Sequence, residues 1–205
     1  MRLIIVRHAQ TTHNKNNITQ GQLDTYLTDL GKKQAEMLAE RLSKEEIDVI
    51  YSSDLKRCRD TLAPFLKQKN IPVHYTSALR EVSFGIFEER PWQEFLDWRD
   101  EVRGHRFDIR PEEGESFNDV RKRIKEFIGA MLEKEKGRKV LVMTHGATKR
   151  ALLMELFNRD DEGYHDELMQ LSKNTAVTIL NLRDDGKHHV ESLYSVEHLE
   201  DLNED

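Results

Sequence analysis

Short, continuous runs of apolar residues recur along the chain and predict buried β-strands. They cover residues 3–6, 47–51, 73–75, 140–143, 177–182 and 190–194. A run of this length without polar alternation is typical of a strand covered on both faces, as in a parallel sheet. The pattern therefore predicts a mostly parallel central sheet with late strands near the C-terminus.

Between these runs, apolar residues return at the three- and four-residue spacing of amphipathic helices. Thr28 and Ser53 are predicted N-caps of two such helices, and Ser116 with Asp119 resembles a capping box before a third. A further helix is predicted over 147–157. Alternating strands and helices predict an α/β fold, a three-layer sandwich. Residues 84–114 interrupt the alternation, so we expect a small helical cap insertion there.

Length and composition narrow the class of protein. The chain has 205 residues and a net charge of −6, so one domain over 1–205 is predicted and binding to bulk nucleic acid is disfavoured. A single cysteine, Cys58, excludes an internal disulfide framework and favours a reducing compartment. The first apolar run is too short for a signal peptide or a membrane span. We therefore expect a cytoplasmic protein without a membrane partner; its oligomeric state is left open.

Polar residues that can bind an anion follow the predicted strands. Arg7 and His8 come directly after the first strand, Arg57 lies one helical turn beyond the second, and Glu81 follows the third. His145 comes directly after the 140–143 strand. Ligands bind at the carboxyl ends of strands in open parallel sheets. The spacing therefore predicts that these five side chains meet in one site.

Their chemistry favours a phosphate site. Two guanidinium groups fit phosphate oxygens, and His145 and the start of the helix near Ala147 can donate further hydrogen bonds. A neutral imidazole at His8 can attack phosphorus, and Glu81 can protonate the leaving oxygen. His8, His145 and Glu81 could in principle ligate zinc, but two arginines in the same pocket would repel a cation.

Five segments resemble the histidine phosphatase superfamily, the phosphoglycerate-mutase-like proteins, and together they span most of the chain. RHAQTTHN, residues 7–14, is similar to the family signature RHGET-x-x-N, and residues 18–35 resemble the stretch that follows it. SSDLKRCRDT (52–61), LREVSFGIFEE (79–89) and THGA (144–147) resemble the segments that carry the second arginine, the catalytic glutamate and the second histidine.

The resemblance implies a role for each matching residue. His8 is the nucleophile that becomes phosphohistidine, Glu81 the general acid, and Arg7, Arg57 and His145 the phosphate pocket. Candidate substrate or phosphate contacts are Thr11, Asn14, Gln20, Gly21 and Ala147. The family needs no metal or other cofactor for this chemistry. Ala9 and Gln10 depart from the family's usual glycine and glutamate.

The residue after Glu81 separates the branches of the family. Mutases typically have an arginine there, whereas this chain has Val82. The interpretation is therefore a metal-independent phosphatase that hydrolyses small phosphorylated metabolites. Two alternatives stay open: a cofactor-dependent phosphoglycerate mutase, and a non-catalytic phosphate-binding regulatory relative, although such relatives usually lack the nucleophile or the acid.

The basic residues of the predicted cap allow two interpretations. Arg99, Arg103, Arg106 and Arg110 could recognise the part of the substrate that does not react, or they could form a solvated face, which we expect for most of them. Lys15 and Lys149 flank the predicted pocket, where they could meet a second phosphate or lie on the surface.

Overall fold

A computed structural model describes residues 1–183 and 185–202. Its six-stranded sheet has the order β3-β2-β4-β1-β5-β6. The strands are β1 (Arg2–Arg7), β2 (Val49–Ser53), β3 (Val73–Thr76), β4 (Lys139–Thr144), β5 (Val177–Asn181) and β6 (His189–Ser195). The first four run parallel, and β5 and β6 are antiparallel to their neighbours. The predicted α/β class and the mostly parallel sheet are confirmed.

Helices cover both faces of the sheet. They are α1 (Thr12–Lys15), α2 (Asp29–Ser43), α3 (Lys56–Leu66), α4 (Trp92–Glu101), α5 (Phe117–Lys134), α6 (Gly146–Leu156) and α7 (Glu162–Gln170). Alternate residues of β1 enter different cores: Leu3 and Ile5 pack with α5 and α6, whereas Ile4 and Val6 pack with α2 and α3. Because successive side chains of a strand point to opposite faces of the sheet, each face packs against its own layer of helices and has its own apolar core. The fold therefore has three layers.

Two of the three predicted helix caps are confirmed. The Thr28 hydroxyl accepts a hydrogen bond from the Gly31 amide, and Ser116 and Asp119 form a capping box at the start of α5. The prediction for Ser53 is wrong, because α3 begins two residues after Asp54. Ser53 is the last residue of β2, where the sheet takes up its backbone.

Residues 84–114 hold α4 and two short 3₁₀ turns, Gly85–Phe87 and Arg106–Asp108. The ring of Phe95 lies 4.7 Å from that of Phe84 and 5.1 Å from that of Trp92, measured between centroids. This segment is held by packed aromatic rings and by an isolated antiparallel bridge between Pro91 and Ile18. Its status as an insertion in one domain over 1–205 stays a prediction, and residues 203–205 lie outside the described chain.

Within residues 1–183 and 185–202, no helix combines the length and the apolar character that crossing a bilayer requires. The cytoplasmic location stays a prediction.

Strand register brings the reactive residues together. Arg7 of β1 is level with Thr144 of β4, and Ser52 of β2 is level with Met143. The three strands consequently end at the same edge of the sheet. The next residue along β1 is His8 and the next along β4 is His145, and their ring centroids lie 5.1 Å apart.

Candidate active site

A cavity of about 290 Å³ opens at this carboxyl edge. Arg7, His8, Arg57 and Glu81 line it, so four of the five side chains predicted to meet do so at its surface. The fifth, His145, packs against the ring of His8. Arg7, His8, Arg57 and His145 are called the phosphate floor below.

The imidazole of His8 is set up as a nucleophile. Its Nδ1 lies 2.8 Å from the carbonyl oxygen of Ala9, which can only accept a hydrogen bond, so Nδ1 carries the proton. Nε2 of the neutral ring then keeps its lone pair. Burial, together with the charges of Arg57 and Arg7, holds the pKa of His8 well below its ordinary value. The ring is therefore unprotonated at Nε2 near neutral pH.

Ala9, where the family usually has glycine, has its methyl group fully buried. The Ala9 amide donates to the Thr61 hydroxyl at 2.9 Å, and that hydroxyl lies 2.6 Å from the carbonyl oxygen of Arg57. These two hydrogen bonds fix the backbone of Ala9, whose carbonyl oxygen sets the tautomer of His8. They also tie the end of β1 to α3.

His145 has both ring nitrogens engaged by the protein. Nδ1 accepts from Nε of Arg57 at 3.1 Å, and Nε2 lies 2.8 Å from the Ser53 hydroxyl. Burial holds the pKa of His145 well below its ordinary value, with the charge of Arg57 the next cause. The sequence predicts that His145 donates to the phosphate. In this structure the ring instead holds the guanidinium of Arg57 beside His8.

Arg57 is 1% exposed, and its guanidinium is held from three directions. Besides His145, it donates to the carbonyl oxygens of Leu23 and Gly21, each at 2.7 Å. Each of its two terminal nitrogens carries a second N–H that these contacts leave over. Arg57 can thus present two further donors in a fixed geometry to an anion in the cavity.

Arg7 brings the second positive charge. One terminal nitrogen donates to the carbonyl oxygen of Ser172, while its Nε is buried and finds no hydrogen-bond partner in residues 1–183 and 185–202. Burial lowers the pKa of Arg7 to about 10, so it stays protonated near neutral pH. A buried donor without a partner is costly unless a ligand satisfies it. Among the described residues, the buried Ser172 hydroxyl, also at this cavity, lacks a partner as well.

Glu81 lies at the N-terminus of α6. Its Oε1 accepts from the amides of Val82 and Thr148, at 3.0 and 3.2 Å, and its Oε2 accepts from the amide of Ala147 at 3.2 Å. The first-turn amides of α6, which the sequence analysis assigns to phosphate, therefore hold the carboxyl group of Glu81. Ala147 lines the cavity, but its amide is engaged with Glu81.

Two side-chain amides are oriented as donors. Oδ1 of Asn14 accepts from the Thr11 amide, and Oε1 of Gln20 accepts from the hydroxyl of Thr25 and lies 2.8 Å from that of Thr11. With the oxygens engaged, the NH₂ groups of Asn14 and Gln20 are the ends left for a ligand, and both residues line the cavity. Thr11, predicted as a contact, is fully buried behind them.

Gly21 lines the cavity at a position that requires glycine. Its φ is +50°, and a Cβ there would lie 1.8 Å from Oε1 of Glu88. That Glu88 oxygen accepts from the amides of Gln22 and Phe84. Glu88 thus fastens the loop after Gln20 to residues 83–85, and the tight approach lets the Gly21 carbonyl reach Arg57.

The cavity has a second side, which includes two residues of the predicted cap segment and two, Arg150 and Met169, that the sequence analysis does not single out. Phe84, Trp92, Arg150 and Met169, called the cap-side wall below, line both this cavity and a smaller one of about 90 Å³ beside it, called the annex. Lys149, predicted near the pocket, is fully buried, and its Nζ donates to the carbonyl oxygen of Ala176. Adjacent residues of a helix face directions about 100° apart, so periodicity predicts that Lys149 and Arg150 do not share a face, but it does not show which of them faces the cavity.

The predicted cap arginines divide between the annex and the surface. Arg99 and Arg106 line the annex, whereas Arg103 and Arg110 are exposed.

Comparison with known proteins adds independent findings. A family model described as the histidine phosphatase superfamily (branch 1) matches residues 3–194. A metal-independent phosphoserine phosphatase of Arabidopsis thaliana is 34% identical over 204 residues, covering 96% of this chain and 82% of the relative. A broad-specificity phosphatase of Saccharomyces cerevisiae is 33% identical, covering 93% and 83%. The solved structure of Bacillus stearothermophilus YhfR superposes with a TM-score of 0.83 at 28% identity, covering 97% of this chain and 99% of that one.

Proposed function

We propose that this chain, which belongs to the histidine phosphatase superfamily, hydrolyses small phosphate monoesters without a metal ion, through a phosphohistidine at His8. The observation that carries the proposal is the contact of Nδ1 of His8 with the Ala9 carbonyl oxygen, which leaves Nε2 for attack at a cavity that Arg7, Arg57 and Glu81 also line. The relatives named as phosphatases support the same reaction class.

In the first step, Nε2 of His8 attacks phosphorus and the bond to the ester oxygen breaks. Arg7, Arg57 and the amides of Asn14 and Gln20 hold the phosphoryl oxygens, whose charge these donors stabilise in the transition state. Protonated Glu81 gives its proton to the leaving oxygen, so the product departs as an alcohol. Nδ1 of His8 keeps its proton and donates it in a hydrogen bond to the Ala9 carbonyl oxygen, whose partial negative charge offsets the positive charge that develops on the ring.

In the second step, water replaces the alcohol. Ionised Glu81 takes a proton from the water while the water oxygen attacks the phosphorus of phosphohistidine. The P–N bond breaks, inorganic phosphate leaves, and His8 and protonated Glu81 are regenerated. One carboxyl group thus serves both steps, because its protonation state after the first step is the one that the second step needs.

The positive charge for this chemistry would come from the two arginines. In the described part of the chain, no three His, Cys, Asp or Glu side chains form a group that could hold a metal ion. Val82, which stands where mutases typically have arginine, is buried and lines the annex with an apolar side chain. It offers no charge for the second phosphate of a bisphosphorylated cofactor.

The test combines turnover with trapping of the intermediate. We expect hydrolysis of p-nitrophenyl phosphate to survive exhaustive chelation and to be inhibited by vanadate, which adopts the five-coordinate geometry of the transition state. Substrate labelled in its phosphoryl group should give an acid-labile phosphoenzyme that His8→Asn does not form. Activity that is lost on chelation and restored by a divalent metal would contradict the proposal, as would exchange between phosphoglycerate isomers faster than phosphate release.

A further inference from the structure

Arg150 carries a charge that the proposed chemistry does not use. It lies on α6 one turn after Gly146 and lines both the main cavity and the annex. Its Nε donates to Nε2 of His165 at 3.3 Å, which is a neutral partner. None of the carboxylates within 1–183 and 185–202 forms a salt bridge with it. Burial lowers the pKa of Arg150, and the nearby charges of Glu81 and Asp166 offset only part of that effect.

His165 holds Arg150 toward the cavities. Because Nε2 of His165 accepts from Arg150, its Nδ1 carries the proton and faces Asp166 at 3.2 Å. Asp166 in turn pairs with Arg106 at 2.7 Å. The ring of His165 is buried between Phe107 and Phe117, with centroid separations of 5.3 and 4.7 Å. The direction of the guanidinium is consequently fixed before any ligand arrives.

The space around Gly146 relates Arg150 to the leaving group. A Cβ at Gly146 would lie 3.6 Å from Oε2 of Glu81, 3.6 Å from the Ser172 hydroxyl and 3.7 Å from a terminal nitrogen of Arg150. Glycine therefore leaves open a space that these three polar groups border. Since Glu81 protonates the leaving oxygen in the proposed mechanism, Arg150 faces atoms a few bonds away from that oxygen.

The charges at the annex match one negative charge on the substrate. Arg99 is paired with Asp100, Arg106 with Asp166, and Glu115 with Arg123. Of the three arginines that line the annex, Arg150 is thus the one without a salt bridge to a carboxylate of the described residues. A carboxylate carries one charge and fits the two terminal nitrogens of a guanidinium in a bidentate manner, whereas a phosphate dianion would call for more cations.

We propose that Arg150 binds a carboxylate on the leaving group, so that the preferred substrates are phosphate monoesters of small hydroxy acids. This inference rests on the proposed phosphatase function. His165 is a positioning residue that acts through Arg150. O-Phosphoserine, the compound class named for the Arabidopsis relative, has this chemistry, with its carboxylate two carbons from the ester oxygen.

The test uses two substrates that differ by the carboxylate alone, O-phosphoserine and O-phosphoethanolamine. We expect Arg150→Met to lower kcat/KM for O-phosphoserine about 10- to 100-fold, mainly through KM, because a hydrogen bond to a charged group is lost. The value for O-phosphoethanolamine should change less than about threefold. Arg150→Lys should recover part of the loss, and Arg103→Met, on the exposed side of the cap, is the matched control.

His165→Phe tests the positioning role. It should raise KM for O-phosphoserine less than Arg150→Met does, and it should add nothing in the Arg150→Met background, since a residue that acts only through Arg150 loses its effect with it. His165→Gln keeps an acceptor and should recover part of the loss. Additive effects of His165→Phe and Arg150→Met would show a general packing role and contradict this assignment.

The outcomes separate the two proposals. If the protein turns over neither these substrates nor p-nitrophenyl phosphate, the proposed function is wrong. If it turns over p-nitrophenyl phosphate through His8 but Arg150→Met slows O-phosphoserine and O-phosphoethanolamine equally, the carboxylate assignment is overturned and the function stands. If Arg150→Met slows the hydrolysis of fructose 1,6-bisphosphate alone, Arg150 binds a second phosphate and the carboxylate assignment is again overturned.

Discussion

The phosphate floor and the cap-side wall form one cavity, but they are built in different ways. The floor comes from the ends of β1 and β4 and the first turn of α3, and hydrogen bonds within the protein hold the rings of His8 and His145 and the guanidinium of Arg57. The cap-side wall comes from α4, α6, α7 and the loop before α4, and its side chains are aromatic or apolar apart from that of Arg150. The floor suits a group common to all substrates, and the wall suits the group that varies.

This difference predicts how substitutions in the two regions should affect the turnover of different substrates. In the proposed mechanism, a donor of the floor contacts the phosphoryl group, which is present in every substrate and carries charge in the transition state. Its loss should therefore slow all substrates alike. By the same proposals, Arg150 of the cap-side wall contacts the leaving group, so its loss should slow some substrates more than others. Variants in the two regions test this contrast.

The largest effect is expected for His8→Asn. The substitution removes the nucleophile while keeping a polar side chain of similar size, so kcat should fall about 10⁴-fold or more for every substrate. Steady-state turnover of O-phosphoserine and p-nitrophenyl phosphate measures it. His189→Asn, an exposed residue of β6, is the control. Retention of near wild-type turnover in His8→Asn would mean that another residue is the nucleophile.

Glu81→Gln should come next, and its effect should depend on the leaving group. An alkyl phosphate needs the acid to protonate a poor leaving oxygen, so its turnover should fall about 10²- to 10⁴-fold. A nitrophenolate leaves without a proton, so the first step should be spared and the water step impaired. Rapid-quench kinetics should then show a burst of nitrophenolate and accumulated phosphohistidine. Equal slowing of both substrates without a burst would exclude Glu81 as the acid.

The position of the floor residues could be predicted from the sequence better than that of the cap-side wall. Strand ends follow from apolar runs, and parallel strands must present these ends at one edge, so Arg7, His8 and His145 could be placed together from the pattern alone. The six strands are found at or near their predicted positions for the same reason. Local patterning sufficed because the floor is built from residues next to buried strands.

Other features of the site, in both regions, depend on tertiary contacts that no local pattern reports. Ser53 looked like a helix cap, but the sheet takes its backbone and His145 takes its hydroxyl. Arg150 and Lys149 are adjacent and both basic, and only the packing of α6 decides which one reaches the cavity. The partners of His145 and Ala147 were also beyond prediction, because they depend on where Arg57 and Glu81 lie in space.

Arg57→Lys should give a smaller loss that is uniform across substrates. Lysine keeps a positive charge but cannot hold Gly21, Leu23 and His145 and still present donors to phosphate. We expect kcat/KM to fall about 100-fold, roughly 3 kcal/mol of transition-state stabilisation, for O-phosphoserine and O-phosphoethanolamine alike. The ratio between the two substrates is the quantity to measure. A change in that ratio would erase the contrast with Arg150, because a floor residue would then discriminate leaving groups.

The smallest effect concerns the stability of the fold in acid, and it involves His8 of the floor and His165 at the annex. Burial and neighbouring arginines hold the pKa of His8 well below its ordinary value, and burial lowers that of His165 to about 4. In the unfolded chain both rings titrate near pH 6.5, so between about pH 6 and 4.5 the unfolded state binds more protons than the folded state. These residues therefore make the folded state less stable as pH falls below about 6.5, and they have no such effect above about pH 7.5.

Urea unfolding at several pH values between 4.5 and 7.5 measures the slope of the unfolding free energy, which counts the protons taken up on unfolding. His8→Asn and His165→Gln should each reduce that uptake by about one proton near pH 5. The result bears directly on the floor, because a nucleophile must keep Nε2 unprotonated to attack phosphorus. If His8→Asn leaves the slope unchanged, then His8 already holds a proton in the folded protein at pH 5. Its lone pair would in that case be blocked, and the floor would lack the property on which the proposed reaction depends.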